Sequence, residues 1–474
     1  MHHLSPVRTL LLLITIVVLA AACRAEDEAA EDPADDVVDD PAAEEPAEDD
    51  GDDAAEDLED ADEVDEDAVA DVEFDEPGVS PEPCPDAVNE DNGCLYLGVL
   101  SDLTEGPFSA AGPVIQQAQE AFFQRVNEQG GVGGYDIDIS TYVRDNLYQP
   151  EQQAQVWDEI RDDVLALGMS LGSAPTLAIM DDLEDNDVVT VPATWNSDWP
   201  FQEVIAETGT NYCFESMNSV DYYLQEENPD AESVMVVYFP QDFGQDGAAA
   251  IELAAEANDL EFFGVETPEG ADNQGEAIGR IMAEDPDMVM IYAGPEETAA
   301  LVGESAAQGY EGRFIGATPT WNVALLDTAA ADALSELYIN QSYWPVFGAD
   351  TPGHEAMREA LGDPERGSDF STAGWTHSYP MLEALEAVAE SDEDFSRSAV
   401  MEAFQSLEEV DYEGMLPEGA GNYAAEPQER ALRESNFNVP DPDEPSGLAP
   451  VEEFFVGDTA AEHDFDQPCI DFYE

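Results

Sequence analysis

The chain has 474 residues, and its 111 acidic residues outnumber 12 basic ones so strongly that the net charge is −99. All of the basic residues are Arg, and the sequence contains no Lys. This charge excludes nucleic-acid binding, which needs a basic surface to displace counterions, and it opposes electrostatic docking onto anionic lipids. An acidic excess without Lys is typical of halophilic proteins, in which salt screens the self-repulsion.

Residues 1–22 form a predicted signal peptide. Arg8 precedes an apolar run at residues 9–19, which is too short to span a bilayer, and small residues follow the run. The Cys that comes next, Cys23, resembles the acylated Cys of the bacterial lipoprotein lipobox. The sequence therefore predicts a lipid anchor at Cys23 on the extracellular face of the membrane (periplasmic if the cell has an outer membrane). Plain secretion is the alternative.

Residues 23–92 form a predicted acidic tether. Between Arg24 and Pro83 there are 30 Asp or Glu residues and almost no aromatic residue. A segment of this composition buries too little apolar surface to offset the entropy cost of ordering. We interpret it as a disordered tether that holds a folded domain away from the membrane, with a cation-binding tail as the alternative.

Four further cysteines form an even set in a chain predicted to lie outside the cell, which favours two disulfides. Three pairings are possible. One of them closes a short loop between Cys84 and Cys94 and joins Cys213 to Cys469. Zinc ligation is the alternative, but there is no CxxC spacing, and we predict neither a metal nor a cofactor.

From residue 95 onward, short strand-like runs alternate with amphipathic stretches, such as Val114, Ala118, Phe122 and Val126 at steps of four. The runs lie at residues 95–100, 137–143, 164–169, 188–191, 234–239, 261–265, 288–292 and 314–316. This alternation predicts an α/β protein with doubly wound, mainly parallel sheets. About 380 residues exceed one ordinary α/β domain, so we predict two lobes with a break near residues 211–219.

Six motifs in the same order resemble those of the branched-chain amino-acid-binding protein family. They are residues 98–106 (GVLSDLTEG), 126–134 (VNEQGGVGG), 144–146 with Pro150, 172–176, 191–194 and 242–244. The resemblance covers roughly residues 95–410. It implies a two-lobed type I periplasmic-binding fold with three crossover strands and a ligand in the cleft between the lobes. The N-terminal lobe is expected to contain residues 93–213 and 341–410, and the C-terminal lobe residues 214–340 and 411–474.

The candidate ligand-binding residues follow predicted strands, because ligands of open parallel sheets bind beyond the carboxyl ends of the strands. They are Thr104, Ser173, Thr176, Ala193, Thr194, Trp195, Phe243 and Thr318. Hydroxyl groups and backbone N–H groups at helix starts suit a carboxylate, although Ser173 is equally expected to cap a helix. Trp195, Trp199 and Phe243 are expected either to form the pocket wall or to belong to the core.

The ligand is predicted only as a class. Thr318 stands where the resemblance leads one to expect a Glu that pairs with the ammonium group of an amino acid. The carboxylates of Glu105, Asp242, Glu296 and Glu297 are candidates to replace it. The expected ligand is therefore an amino acid or a related small polar solute, such as an amide, a urea-like molecule or an organic acid.

The resemblance implies a monomeric solute-binding lipoprotein of an ABC importer, which delivers a small molecule to permease subunits and catalyses no reaction. A ligand-sensing receptor that signals to a partner is the alternative. A serine hydrolase is a third hypothesis, because residues 168–172 match G-x-S-x-G with Ser170 as the nucleophile. That hypothesis requires His377 or His463 as the base.

Overall fold

The computed structural model describes residues 76–240 and 243–470. The predicted signal peptide, Cys23, most of the predicted tether and Asp242 lie outside the described residues. Among the described residues, no helix is both long enough and apolar enough to cross a membrane.

Two sheets organise the described part of the chain. The first contains β1 (Val79–Ser80), β2 (Gly93–Ser101), β3 (Tyr135–Asp145), β4 (Ala166–Leu171) and β5 (Thr190–Ala193). The second contains β6 (Ser233–Tyr238), β7 (Glu261–Glu266), β8 (Met288–Tyr292), β9 (Arg313–Gly316), β10 (Tyr338–Ser342), β11 (Ser435–Pro440) and β12 (Leu448–Phe455).

Helices connect and cover the strands. They are α1 (Gly112–Glu128), α2 (Pro150–Ile160), α3 (Ser173–Leu177), α4 (Met180–Asp185), α5 (Tyr212–Tyr222), α6 (Phe243–Ala257), α7 (Gly275–Glu284), α8 (Pro295–Ala307), α9 (Ala331–Leu337), α10 (Pro352–Ala360), α11 (Asp369–Glu390), α12 (Arg397–Gln405), α13 (Pro427–Arg430) and α14 (Asp458–Glu462). Shorter helical turns lie at Trp199–Phe201, Tyr223–Glu227, Ala271–Asn273, Thr318–Thr320 and Val323–Asp327.

The first lobe is built around β2. This strand pairs in parallel with β3 on one side and with β4 on the other, and β5 continues the sheet beyond β4. Every residue of β2 is buried, as expected for a central strand that is covered on both faces. The predicted helix at Val114–Val126 is α1, whose Phe122 packs against the rings of Trp375 and Tyr379 on α11, at centroid distances of 5.0 and 4.8 Å.

The second lobe is built around the order β12-β11-β10-β9-β8-β6-β7. The strands from β7 to β10 are parallel, and β11 and β12 close the sheet in antiparallel pairing. The carboxyl ends of the parallel strands of this lobe lead into residues that, together with loops of the first lobe, line one cleft.

The chain crosses between the lobes three times: between β5 and α5, between β10 and α11, and before β11. Thr210 forms a parallel bridge with Leu432, and its hydroxyl donates to the carbonyl of Glu434. Gly209 has a φ of +105°, and a Cβ there would lie 2.7 Å from the Cβ of Tyr343. Only Gly fits this close approach, so the first crossing segment packs against each of the other two.

The predicted α/β architecture of two lobes is confirmed, and each of the eight predicted runs overlaps a strand from β2 to β9. Residues 411–430, assigned above to the second lobe, contact the first: Tyr379 donates to Glu413 at 2.7 Å and Tyr423 donates to the carbonyl of Glu207 at 2.6 Å. The structure joins Cys84 to Cys94 and Cys213 to Cys469 as disulfides.

Candidate functional site

A cleft between the lobes contains two adjoining chambers, both of which are lined by Phe108, Ala111 and Phe370. The outer chamber has a volume of about 620 Å³. The inner chamber is much smaller, about 30 Å³, and leads inward to the ends of β4 and β5. The inner chamber is lined by Phe108, Ala111, Ile115, Tyr148, Leu171, Ala193, Thr194, Trp195, Tyr212, Phe243, Pro319 and Phe370.

Aromatic rings from both lobes form the walls of the inner chamber. Phe108 of the first lobe lies 5.1 Å from Tyr148 and 5.8 Å from Phe243 of the second lobe, measured between ring centroids. Phe243 begins α6 and also lies 5.5 Å from Tyr212, the first residue of α5. None of the described residues that line this chamber has a charged side chain, so the chamber suits the apolar part of a ligand.

A buried group of hydrogen-bonded side chains adjoins the inner chamber at Thr194. The hydroxyl of Ser173 lies 2.5 Å from that of Thr194 and donates to Oδ1 of Asn196 at the same distance. Ser173 and Asn196 are fully buried, whereas Thr194 lines the inner chamber. Ser173 thus orients Thr194 but does not itself line the chamber.

Glu215 lies in the first turn of α5 in the second lobe and is fully buried. Its Oε1 accepts hydrogen bonds from the backbone N–H of Thr318 at 2.8 Å and from the hydroxyl of Thr318 at 2.9 Å. Its Oε2 accepts one from the hydroxyl of Tyr292 at 3.0 Å. Burial raises the pKa of Glu215 to about 7, and these hydrogen bonds oppose the rise. Both oxygens of this carboxylate are already bound by protein donors.

Four carboxylates line the outer chamber, those of Glu105, Glu269, Glu296 and Glu297. Oε1 of Glu297 accepts a hydrogen bond from the backbone N–H of Gly270 at 2.6 Å. Partial burial, followed by the charge of Glu297, raises the pKa of Glu269. Glu296 and Glu297 stand in the first turn of α8, where the helix dipole stabilises them.

The sequence-predicted residues fall into two groups. One group lines the cleft: the inner chamber is lined by Ala193, Thr194, Trp195 and Phe243, and the outer chamber by Glu105, Glu296 and Glu297. The remaining ligand-binding candidates do not line either chamber: they are Thr104, Ser173, Thr176 and Thr318. Thr104 donates to Asp145 at 2.5 Å, Thr176 donates to the carbonyl of Gly172 at 2.7 Å, and Thr318 binds Glu215.

Sequence reasoning missed Tyr148, Tyr212, Phe370 and Glu215. Tyr148 follows β3 at a left-handed φ of 55°, and Tyr212 and Phe370 lie at helix starts, where a lone aromatic residue looks like any core residue. Glu215 carries a weak signal, since it is a carboxylate inside an otherwise apolar helix start.

Ser170 is not arranged as a nucleophile. Its hydroxyl is fully buried, accepts from Nε2 of Gln153 at 2.8 Å and lies 2.7 Å from the hydroxyl of Thr176. His377 packs between the rings of Trp195 and Trp344, and His463 packs against Phe214 near the C-terminus. The partners of Ser170 are therefore an amide and a hydroxyl, neither of which is a base.

Comparisons with known proteins agree with this geometry. Residues 95–432 match the family model described as "periplasmic binding protein". A fatty acid ABC transporter substrate-binding protein from Thermomonospora curvata is 26% identical with a TM-score of 0.73, and the match covers 81% of this chain and 97% of that one. No curated protein sequence matches the chain significantly.

Two further solved structures share the fold. A branched-chain amino acid ABC transporter protein from Thermus thermophilus with bound valine is 19% identical with a TM-score of 0.68, over 78% of this chain and 98% of that one. A leucine-binding protein from Thermotoga maritima is 17% identical with a TM-score of 0.63, over 76% of this chain and 98% of that one.

Proposed function

Because this chain belongs to the periplasmic binding protein family, we propose that it is the extracellular solute-binding component of an ABC importer and catalyses no reaction. The observation that carries the proposal is the cleft whose walls come from both lobes. A ligand that touches Thr194 and Phe243 together stabilises the closed arrangement, because only that arrangement offers both contacts. The delivering partner is then an ABC permease.

We propose further that the ligand has an apolar body and a carboxylate or amide end. The aromatic inner chamber and the apolar part of the outer chamber favour such a body. Among the described residues that line the inner chamber there is no carboxylate, and the oxygens of the buried Glu215 already accept hydrogen bonds from Thr318 and Tyr292. An ammonium group placed in the inner chamber would be desolvated with no carboxylate partner among these described lining residues, which is unfavourable.

The similarity to a protein described as a fatty acid ABC transporter substrate-binding protein supports this ligand class, as the chains are 26% identical. The neighbour with bound valine shares the fold alone at 19% identity. Among the solutes expected from the sequence, organic acids and amides with an apolar chain are therefore favoured over amino acids.

A matched series of compounds tests the ligand class by calorimetric titration. L-Leucine, 4-methylpentanoate and 4-methylpentanamide have the same branched body and differ in the polar end, and octanoate lengthens the body. We expect the carboxylate or the amide to bind at least about ten-fold more tightly than L-leucine, because neither requires a buried ammonium partner. Tightest binding of L-leucine would reject the ligand class while leaving the importer function in place.

Replacing the predicted acylated residue, Cys23→Ser, should leave a folded, ligand-binding chain that no longer partitions with membranes. Acyl chains contribute roughly 0.8 kcal/mol per buried CH₂ group, and no helix in the described part of the chain is able to cross a membrane. The measurement is the fraction of protein that sediments with membranes after expression in a bacterial host. Retention of the Cys23→Ser protein in the membrane fraction would contradict the lipid anchor.

A further inference from the structure

One hydrogen-bonded pair joins the two lobes beside the cleft. Asp246 stands in the first turn of α6, three residues after Phe243, and it is completely buried. One of its carboxylate oxygens accepts from the backbone N–H of Ser197 at 2.6 Å, and the other accepts from the hydroxyl of Ser197 at 2.7 Å. Ser197 is also completely buried.

The loop that carries Ser197 is fixed to the first lobe. It follows β5 directly, and the ring N–H of Trp199 donates to the carbonyl of Thr194 at 3.0 Å. Beyond it, Ile205 forms a parallel bridge with Thr190 of β5. Asp246 belongs to α6, which packs on β6 in the second lobe. The two partners therefore move apart when the lobes separate.

The C-terminal segment, residues 463–470, contacts the same serine. The backbone N–H of Cys469 donates to the hydroxyl oxygen of Ser197 at 2.9 Å. A hydroxyl has a single hydrogen, so a donor placed on its oxygen favours the orientation in which that hydrogen points at Asp246. The disulfide from Cys469 to Cys213, at the start of α5, holds the donor in place.

Aromatic packing holds this segment across both lobes. The ring of Phe465 lies 5.2 Å from that of Phe201 in the first lobe and 4.9 Å from that of Phe214 on α5. The segment therefore bridges the hinge on the side where Ser197 and Asp246 meet.

We propose that Ser197 and Asp246 form an interlobe latch, that the disulfide-bound C-terminal segment orients this latch, and that the latch sets how readily the cleft closes. Asp246 is a positioning residue in this proposal: it is not among the residues that line the two chambers, and it stands in the first turn of the helix that begins with Phe243, whose ring contacts Phe108 of the first lobe. The inference rests on the proposed binding function for its biological meaning, although its test needs no ligand.

The test measures closure in the ligand-free full chain by amide hydrogen exchange and small-angle X-ray scattering. Asp246→Ala removes both acceptors of the latch, and Ser197→Ala removes only the hydroxyl contact. Asp332→Ala is the matched control, since Asp332 is an exposed acid in the first turn of another helix of the second lobe. Ser335→Ala is the control for Ser197→Ala, because Ser335 is exposed and bonds only within α9.

We expect Asp246→Ala to accelerate exchange about ten-fold or more at residues 195–200 and 243–250, and to enlarge the radius of gyration, because two buried hydrogen bonds to its carboxyl group are lost. Ser197→Ala should have a smaller effect in the same direction. The double change Cys213→Ser with Cys469→Ser should also accelerate exchange, but not when Ser197 is already Ala, because both changes then act through one missing hydroxyl.

Wild-type exchange and dimensions in Asp246→Ala would overturn the latch. An equal loss of protection in the buried strand β8 would also overturn it, since that result would mean a weakened fold. Additive effects of the disulfide change and Ser197→Ala would remove the C-terminal segment from the proposal.

Discussion

Raising the pH from about 4.5 to 8 is expected to destabilise the folded chain through Glu215. Burial raises the pKa of this carboxyl from 4.5 to about 7, so between these values the folded state holds a proton that the unfolded state has released. The stabilisation from this group is complete below the unfolded pKa and is lost as the pH rises through the folded one. Through this group alone, the free energy of unfolding should fall by about 3 kcal/mol between pH 4.5 and pH 8.

The measurement is the free energy of unfolding in denaturant at pH 4.5 and at pH 8, in about 1 M NaCl to screen the surface carboxylates. Glu215→Gln should lose most of the contribution of this site, because the amide cannot titrate. Burial also raises the pKa of Asp369 to about 6, so its effect has the same sign, but it is common to both proteins and cancels in the comparison. Glu304→Gln, an exposed change on α8, is the control. An unchanged pH dependence in Glu215→Gln would contradict the assignment.

Phe243→Ala is expected to lower both ligand affinity and stability. The ring packs against Phe108 across the cleft and against Tyr212 and Tyr292 within the second lobe. Truncation of such a buried ring costs about 3–5 kcal/mol of folding stability. Loss of a central aromatic contact should also weaken binding by roughly thirty-fold or more, equivalent to about 2 kcal/mol.

Phe314→Ala separates the two effects. Phe314 is equally buried, but it lies in β9 and packs against Tyr310 at 5.2 Å, away from the cleft residues. This variant should lose similar stability and keep its affinity for the tightest-binding compound of the matched series. Equal loss of affinity in both variants would mean that Phe243 acts through the fold and not through the cleft.

The sequence was most informative where strands are apolar. The run at residues 288–292 is β8, because five consecutive apolar residues can be buried on both faces of a parallel sheet. The strands β10 and β11 escaped prediction, since they are rich in Asn, Gln and Ser. These side chains are buried because partners distant in sequence satisfy them: Ser219 donates to Gln341, and Asn438 donates to Ser342 at 3.1 Å. Four consecutive residues of β12 are exposed, so this strand has no clear alternation.

The position of the site was predictable in part, because the ends of parallel strands meet at one edge and Ala193 and Thr194 follow β5 directly. Glu215 was not predictable. Its partners Thr318 and Tyr292 lie 103 and 77 residues away in the sequence, and local pattern carries no information on such pairs. The threonine that replaces an expected carboxylate thus donates to another carboxylate, and this pairing became visible only in three dimensions.

The cleft is expected to close around a small organic molecule that it leaves chemically unmodified. Small-angle X-ray scattering during titration with the matched series, followed by mass spectrometry of the recovered compound, tests it most directly. We predict that 4-methylpentanoate, its amide or octanoate reduces the radius of gyration with saturation at one molecule per chain, and that the compound is recovered unchanged. Compaction by none of the series, or recovery of a hydrolysed product, would contradict the account.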